Sequence, residues 1–267
     1  SSSRVRRRSS GMCSARASDA VPQLPDDLGD VKRQTSAFVA TASHELRTPL
    51  ANILGYVEVL QDLDAGPLEP EQLRLLGIVE RNGKRLLRLI ENFLTVFDVD
   101  GGTFVIQRAP FDVGELVSRV QHNVAAKVAG GRLELHVNIE ADLPSVLGDA
   151  EQLERALSDI IENAIKFTPE GGRIVVRVSL IRDDNVRFEV ADSGVGVPPA
   201  ETDRLFQPLF RSSLSQAGAT EGMGLGLHIV KMIIEGHGGE VGASSVLDEG
   251  TVVWFTIPAG LAAKAAA

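Results

Sequence analysis

A histidine beside a carboxylate, one turn before a proline, is the first feature of this sequence that suggests chemistry. Residues 43–50 read SHELRTPL within a pattern typical of a helix. On a helix, His44 and Thr48 are four residues apart and share a face, with Glu45 next to His44. An imidazole can act as a nucleophile when a neighbouring base holds or removes its ring proton. Pro49 removes a helical hydrogen bond, so we expect the helix to bend or loosen beside the histidine.

A second group of polar residues, in the segment 159–167, combines oxygen ligands with a cation. Asp159 and Asn163 are four residues apart, and Lys166 lies one turn beyond Glu162 and two turns beyond Asp159. Carboxylate and amide oxygens are ligands that Mg²⁺ accepts when water and nucleotide phosphate complete its octahedron, and a lysine ammonium suits phosphate as a point charge. Taken alone, the segment is more typical of a solvated helix face than of a metal site.

Two glycine motifs follow further along the chain. Residues 192–197 read DSGVGV, in which Asp192 can accept a hydrogen bond from an exocyclic amine such as that of adenine. Residues 222–228 read GMGLGLH and enter a helix, where backbone N–H groups face an anion. The glycine spacing of residues 222–228 matches neither a dinucleotide-binding fingerprint nor a Walker A loop. The small, polar segment 212–221 has the composition of a mobile lid.

Composition sets limits on the class of protein. The chain has 267 residues, 43% of them hydrophobic, which is enough for about two domains. Its net charge of -9 argues against general nucleic-acid binding. The single cysteine, Cys13, allows no internal disulfide and indicates a reducing compartment. No run is long and apolar enough for a membrane span.

The histidine segment belongs to a predicted pair of long helices. Apolar residues recur at intervals of three and four from about residue 30 to residue 60, and again from Leu73 to Phe97, with a turn at 62–70 between them. Two antiparallel helices cannot bury such stripes alone, so we expect residues 30–98 to dimerise into a four-helix bundle. Residues 1–29 are rich in serine and arginine and predict a disordered basic arm, while 99–110 predict a linker and 261–267 a tail.

Residues 111–260 predict one α/β domain, with helices alternating with strands gathered in hairpins. This pattern favours an antiparallel or mixed sheet with helices on one face. The predicted helices cover about 112–128, 149–167 and 224–235, and the predicted strands 132–139, 173–181, 186–191, 239–246 and 251–257.

Taken in order, the motifs resemble those of two-component sensor histidine kinases over about residues 30–260. The resemblance implies a dimerisation and phosphotransfer bundle followed by an α/β sandwich that binds ATP, of the gyrase, chaperone and histidine kinase (Bergerat) type. The segments that carry it are 43–50 (H box), 159–168 (N box), 192–197 (G1 box), 205–211 (F box), 222–227 (G2 box), and Gly239 with Gly250 and Thr251 (final glycine box).

The same resemblance implies roles in phosphoryl transfer. His44 would take the γ-phosphoryl group of Mg-ATP with Glu45 as general base, and Thr48 would orient water when a response regulator is dephosphorylated. Arg211 is the candidate for stabilising the transferring phosphoryl group. These roles suit a reaction that depends on positioning and charge neutralisation.

The resemblance also implies the nucleotide site, with ATP and Mg²⁺ as cofactors. Asn163 and Asp159 would ligate Mg²⁺, Lys166 would meet phosphate, and Asp192 would bind adenine. The other implied nucleotide-binding residues are Phe167, Gly194, Gly196, Gly222, Gly224, Gly226 and Thr251.

One residue departs from the family pattern and keeps an alternative open. Asp159 stands where the family usually has a second asparagine, which adds negative charge near the triphosphate. The alternatives are a dimeric pseudokinase that binds nucleotide without transferring phosphate, and an ATPase of the gyrase or mismatch-repair type. The helical hairpin with His44 upstream of the ATP domain argues against the second.

The expected partners and location follow from the same analysis. We expect a homodimer through residues 30–98, the receiver domain of a response regulator as the phosphoryl acceptor, and no nucleic acid. We expect a cytoplasmic location, and because the chain begins with Ser1 rather than Met, we expect it to be a fragment or a tagged chain. Any membrane contact would be made by a region absent from this chain.

Overall fold

The structure is a computed structural model that describes residues 46–61, 68–100, 105–181, 184–217 and 223–260. Its helices are α1 (46–61), α2 (Pro70–Asp100), α3 (Val113–Gly130), α4 (Ala150–Phe167), α5 (Pro199–Thr202), α6 (Ser213–Ala217) and α7 (Gly226–Gly236). Its strands are β1 (Ala109–Phe111), β2 (Glu134–Ile139), β3 (Val146–Gly148), β4 (Arg173–Ile181), β5 (Asn185–Asp192), β6 (Val241–Val246) and β7 (Gly250–Pro258).

Helices α1 and α2 form an antiparallel hairpin. A β-carbon on Gly83 would lie 2.7 Å from Leu54 Cδ2, so the lack of a side chain at Gly83 permits close approach. Leu50 and Val57 are buried, as the predicted stripe requires. Ile90 is buried as well, but many other apolar residues of the hairpin are exposed in a single subunit; they include Leu46, Ile53, Tyr56, Val59, Leu60, Leu73, Leu75, Val79 and Leu86.

The predicted linker, 99–110, is not irregular at its ends. Helix α2 continues to Asp100, and β1 starts at Ala109. The strand forms because it pairs antiparallel with β3, with Ala109 opposite Gly148 and Phe111 opposite Val146. Such short strands carry too few residues to show an alternating pattern, which explains why the sequence did not predict β1 or β3.

The remaining strands form a five-stranded mixed sheet in the order β2-β4-β5-β7-β6. Strand β2 pairs parallel to β4, and the other neighbours are antiparallel. Buried side chains of α3, α4 and α7 pack with those of the sheet into one core. Phe188 and Phe255 stack at its centre with ring centroids 4.6 Å apart. A helical region followed by a mixed α/β sheet confirms the predicted fold class.

A buried histidine joins the end of α7 to the start of α4. His237 Nε2 accepts a hydrogen bond from the Asp149 backbone N–H at 2.9 Å, and Nδ1 donates to the Ile233 carbonyl at 2.8 Å. The Asp149 carboxylate caps α4 by accepting from the Gln152 N–H and also accepts from the Gln107 N–H. His237 therefore has a structural role. Within the described residues, no helix is long and apolar enough to cross a membrane.

The His237 contacts predict a pH-dependent contribution to stability. Burial lowers the pKa of His237 below its ordinary 6.5, so folding favours the neutral ring. This contribution is complete above the ordinary value and declines as pH falls below it, because the unfolded chain then binds the proton more readily. We expect His237→Gln to lower the free energy of unfolding by roughly 1–3 kcal/mol near neutral pH. The difference should shrink at about pH 5.

Urea unfolding near neutral pH and at about pH 5 checks this prediction. His122→Gln is the control, because His122 is exposed on α3. A deficit for His237→Gln that is equal at both pH values, or larger in acid, would contradict it.

Candidate functional site

Helix α4 carries the predicted metal and phosphate residues. Asp149 caps its N-terminus, and Thr168 ends it with its hydroxyl donating to the Ala164 carbonyl at 2.6 Å. The apolar face, including Leu153, Leu157 and Ile161, is buried in the core. The opposite face bears Arg155, Asp159, Asn163 and Lys166, spaced by three or four residues, so these side chains follow one stripe.

The Asp192 carboxylate organises the loop at the end of β5. Its Oδ1 accepts hydrogen bonds from the backbone N–H groups of Gly194, at 2.8 Å, and Thr251, at 3.2 Å. Burial raises the pKa of Asp192, and these two donors oppose the rise. Among the described residues, none makes a hydrogen bond to Oδ2. The predicted residues Asp192, Gly194 and Thr251 are therefore brought together, with one carboxylate oxygen left for a ligand.

The loop also lies against the end of α4. The Val195 N–H donates to the Phe167 carbonyl at 3.3 Å, and a β-carbon on Gly194 would lie 2.5 Å from that oxygen. Gly196 has φ of +67°, and a β-carbon there would lie 2.2 Å from the Val246 carbonyl oxygen. Only glycine fits such a position without displacing the backbone. The structure thus places Phe167 beside the Asp192 loop.

The second glycine motif enters α7 next to Asn163. The position of a β-carbon on Gly226, the first residue of α7, is 3.9 Å from Asn163 Nδ2. Gly224 has φ of +73° and leaves 2.3 Å between a β-carbon and the Phe210 carbonyl oxygen. Because an L side chain is disfavoured at this φ and would collide there, glycine at 224 lets the segment 205–211 approach α7.

Arg211 lies in the segment that precedes the predicted lid. Its Nη2 donates to the Ser215 carbonyl at 3.0 Å, and it lines an open cleft of about 370 Å³ with Glu201, Arg204, Pro208 and Leu209 among others. Arg204 covers the Phe210 ring, with its guanidinium carbon 4.5 Å from the ring centroid. The cleft is lined by residues between Glu201 and Ser213, and its lining does not include Asp192, Gly194 or Thr251.

Asp159 is electrostatically unusual. Burial raises its pKa from 3.8 to about 6; the cations Arg155, Arg88 and Lys127 oppose the rise, while Glu162 adds to it. No described residue donates a hydrogen bond to the Asp159 carboxylate or bonds to the Asn163 amide. Two oxygen ligands on one helix face, to which no described residue donates a hydrogen bond, fit a Mg²⁺ ion whose remaining ligands are phosphate and water.

The remaining predicted residues lie on the same face of α4, in the helical hairpin or outside the described residues. Lys166 follows Asp159 and Asn163 on the stripe of α4; it is exposed, with Nζ 5.0 Å from the Phe167 ring centroid. Thr48 is exposed on α1, in the helical hairpin. His44, Glu45 and Gly222 lie outside the described residues.

Arg155 is a site-face residue that the sequence did not single out. Its guanidinium reaches α2, and its charge acts on Asp159. The only sequence signal was its spacing, one turn before Asp159. An arginine at that spacing is common on helix surfaces, and the partner helix cannot be inferred from it.

Comparison with known families gives two matches along the chain. Residues 34–102 match the His Kinase A (phospho-acceptor) domain. Residues 148–261 match the histidine kinase-, DNA gyrase B- and HSP90-like ATPase family. The two matched regions contain the predicted H box and the nucleotide motifs, respectively.

Two curated relatives are named as a sensory/regulatory protein and a sensor histidine kinase. The chain is 35% identical over 228 residues to the sensory/regulatory protein RpfC of Xanthomonas campestris, covering 84% of this chain and 31% of that protein. It is 35% identical to the sensor histidine kinase GacS of Pseudomonas protegens, covering 85% of this chain and 25% of that protein. The chain thus spans about a quarter to a third of these relatives.

A solved structure gives the same result. Full-length ShkA in complex with AMPPNP superposes with a TM-score of 0.69 at 32% identity. The match covers 83% of this chain and 45% of that chain.

The partly buried charge of Asp159 predicts a stabilising substitution. Between its ordinary pKa of 3.8 and its raised value of about 6, the folded protein binds more protons than the unfolded chain. Stability therefore falls as pH rises through this window, and the cost persists above it. We expect Asp159→Asn to raise the free energy of unfolding by roughly 1–3 kcal/mol near neutral pH and to change it little at about pH 4.

Urea unfolding without nucleotide or Mg²⁺ measures this difference. Asp203→Asn is the matched control, because Asp203 is exposed. An equal gain at both pH values, or no gain near neutral pH, would show that the Asp159 charge is not destabilising.

Proposed function

Because the chain belongs to the two-component sensor histidine kinases, we propose that it phosphorylates its own His44 from Mg-ATP and passes the phosphoryl group to an aspartate of a response regulator. The observation that carries this proposal is the Asp192 carboxylate, which has one oxygen fixed by two backbone N–H groups and the other without a hydrogen bond among the described residues. A fixed acceptor in a partly buried loop suits the amine of adenine.

The phosphate end of the nucleotide would lie along α4 and the start of α7. Lys166 supplies a cation, and the N-terminus of α7 at Gly226 directs the first backbone N–H groups of the helix toward an anion. Asp159 and Asn163 would hold Mg²⁺, which neutralises phosphate charge when it is bound. Arg211 is proposed to act on the transferring phosphoryl group from the adjoining segment.

The chemistry is a displacement at phosphorus. An imidazole nitrogen of His44 attacks the γ-phosphorus, the bond to the β-phosphate oxygen breaks, and ADP leaves with the bonding electrons. Glu45 accepts the ring proton. The phosphohistidine then gives its phosphoryl group to a receiver aspartate, and Thr48 orients water for hydrolysis of that aspartyl phosphate. Positioning and charge neutralisation account for most of the rate in such reactions.

The helical hairpin supports a dimer. Residues Leu46, Ile53 and Leu60 recur along one side of α1 and are exposed in a single subunit. Burial of such a stripe releases roughly 25 cal/mol for each Å² of apolar surface. We propose that a second copy of the chain covers this stripe, so that the two hairpins form a four-helix bundle. We also propose that the chain acts in the cytoplasm.

A nucleotide-binding scaffold without phosphotransfer is the second candidate, and Asp159 favours it. An ionised carboxylate beside a triphosphate repels it unless Mg²⁺ lies between them. The two candidates differ in whether bound ATP leaves its phosphoryl group on the protein.

Incubation with γ-labelled ATP and Mg²⁺ separates these functions. We expect a labelled protein whose label is lost in acid and kept in alkali, and no label on His44→Gln, because that substitution removes the nucleophile. His122→Gln, a substitution of an exposed histidine on α3, should label like the unaltered chain. Bound ATP without label would favour the scaffold, and an acid-stable label would rule out a phosphohistidine.

A further inference from the structure

The helix that carries the proposed metal ligands is joined to the bundle helix by one arginine. Arg155 Nη2 donates to Asn92 Oδ1 at 2.9 Å, and Nη1 donates to Thr95 Oγ1 at 3.1 Å. Hydrogen bonds from a charged donor are stronger than those between neutral groups. The guanidinium therefore connects α4 to α2 through two fixed donors.

The α2 side of this contact contains a buried polar residue. Thr95 is only 7% exposed, and its hydroxyl also donates to the Glu91 carbonyl at 2.9 Å. Buried hydroxyl groups normally have hydrogen-bond partners. Within the described residues, Arg155 is the hydrogen-bond partner of the Thr95 hydroxyl outside α2. Asn92 and Thr95 thus supply the two oxygen acceptors for the guanidinium of Arg155.

The other described polar contact between these two helices is weaker. Arg88 lies 3.8 Å from Glu162, with the arginine side chain more than half exposed, and Val96 packs against the core of the α/β domain. Exposed ion pairs contribute little binding energy. Among the described residues, Arg155 and its two partners therefore form the main polar anchor between α4 and α2.

The contact lies at a defined end of the hairpin. Leu50 and Leu54 lie against Gly83, while Gln61 bonds to Glu80, so α2 runs antiparallel to α1. Residues of α2 beyond Gly83, including Asn92 and Thr95, therefore extend toward the end at which the described part of α1 begins. In the sequence, His44 precedes that point by less than one helical turn.

We propose that Arg155 is a positioning residue that docks the nucleotide-binding domain onto α2 at the phosphoacceptor end of the hairpin. Asp159 and Asn163 follow Arg155 by one and two turns on α4, so holding Arg155 also fixes the metal site relative to the bundle. Docking raises the effective concentration of the γ-phosphoryl group at the histidine. This inference rests on the proposed function.

The first test removes the α2 partners and keeps the arginine charge. We expect Asn92→Ala/Thr95→Val to slow phosphorylation about tenfold at saturating Mg-ATP. The ATP dissociation constant should not change, because neither residue belongs to the nucleotide site. Arg155→Gln should slow the reaction at least as much, and combining all three substitutions should add nothing to Arg155→Gln.

The matched control is Arg119→Gln. Arg119 also binds α4, through Glu154 at 2.8 Å, but from α3 within the same domain, so its loss should leave the rate unchanged. An unchanged or faster rate for Asn92→Ala/Thr95→Val would overturn the proposal, as would fully additive effects with Arg155→Gln.

A second measurement does not depend on activity. Spin labels at Lys84→Cys on α2 and Glu151→Cys on α4, with Cys13→Ser and an excess of unlabelled chain, report the distance between the helices. We expect a narrow distribution that broadens in Asn92→Ala/Thr95→Val and not in Arg119→Gln. If the unaltered chain takes up no phosphoryl group from γ-labelled ATP, the proposed function is wrong. The spin-label distances then decide whether Arg155 holds the helices together, and an unchanged distribution overturns the docking.

Discussion

The two hydrogen bonds to Asp192 Oδ1 are the constraint on which the candidate site depends. They join the end of β5 to the start of β7 and close the turn at Gly194. The same turn then lies against the carbonyl of Phe167, so the loop and α4 are fixed relative to each other. A carboxylate that bonds to backbone at one oxygen cannot rotate freely, and its second oxygen has a defined direction for a ligand.

Helix α4 joins this constraint to the rest of the molecule. Its C-terminal end meets the Asp192 loop, and its N-terminal end is held by Asp149, which also bonds to the chain arriving from the bundle at Gln107. Its middle turns carry Asp159 and Asn163 and, through Arg155, contact α2. A shift of α4 would therefore change the proposed nucleotide site and the contact with α2 together, which suits the proposed transfer of a phosphoryl group to a separate helix.

The sequence predicted the elements whose signal is local. Helix α4 shows an apolar stripe bounded by the cap Asp149 and by Pro169, and the hairpin of β4 and β5 shows alternation with a turn, so their bounds were close. Strands β1 and β3 depend on pairing between segments 35 or more residues apart and were missed. For the same reason, the sequence identified Asp192 but not its bond to Thr251, and it gave no indication of the contact made by Arg155.

The measurement that tests the central claim most directly is nucleotide binding by Asp192→Asn. The asparagine can keep an acceptor for the N–H groups of Gly194 and Thr251 but presents an amide N–H group to the base. We expect ATP to bind about tenfold to a hundredfold more weakly, because two donors then face each other. The binding of inosine triphosphate, whose base has an acceptor at that position, should weaken much less. Equal losses for both nucleotides, or no loss for ATP, would contradict the assignment of Asp192 to adenine.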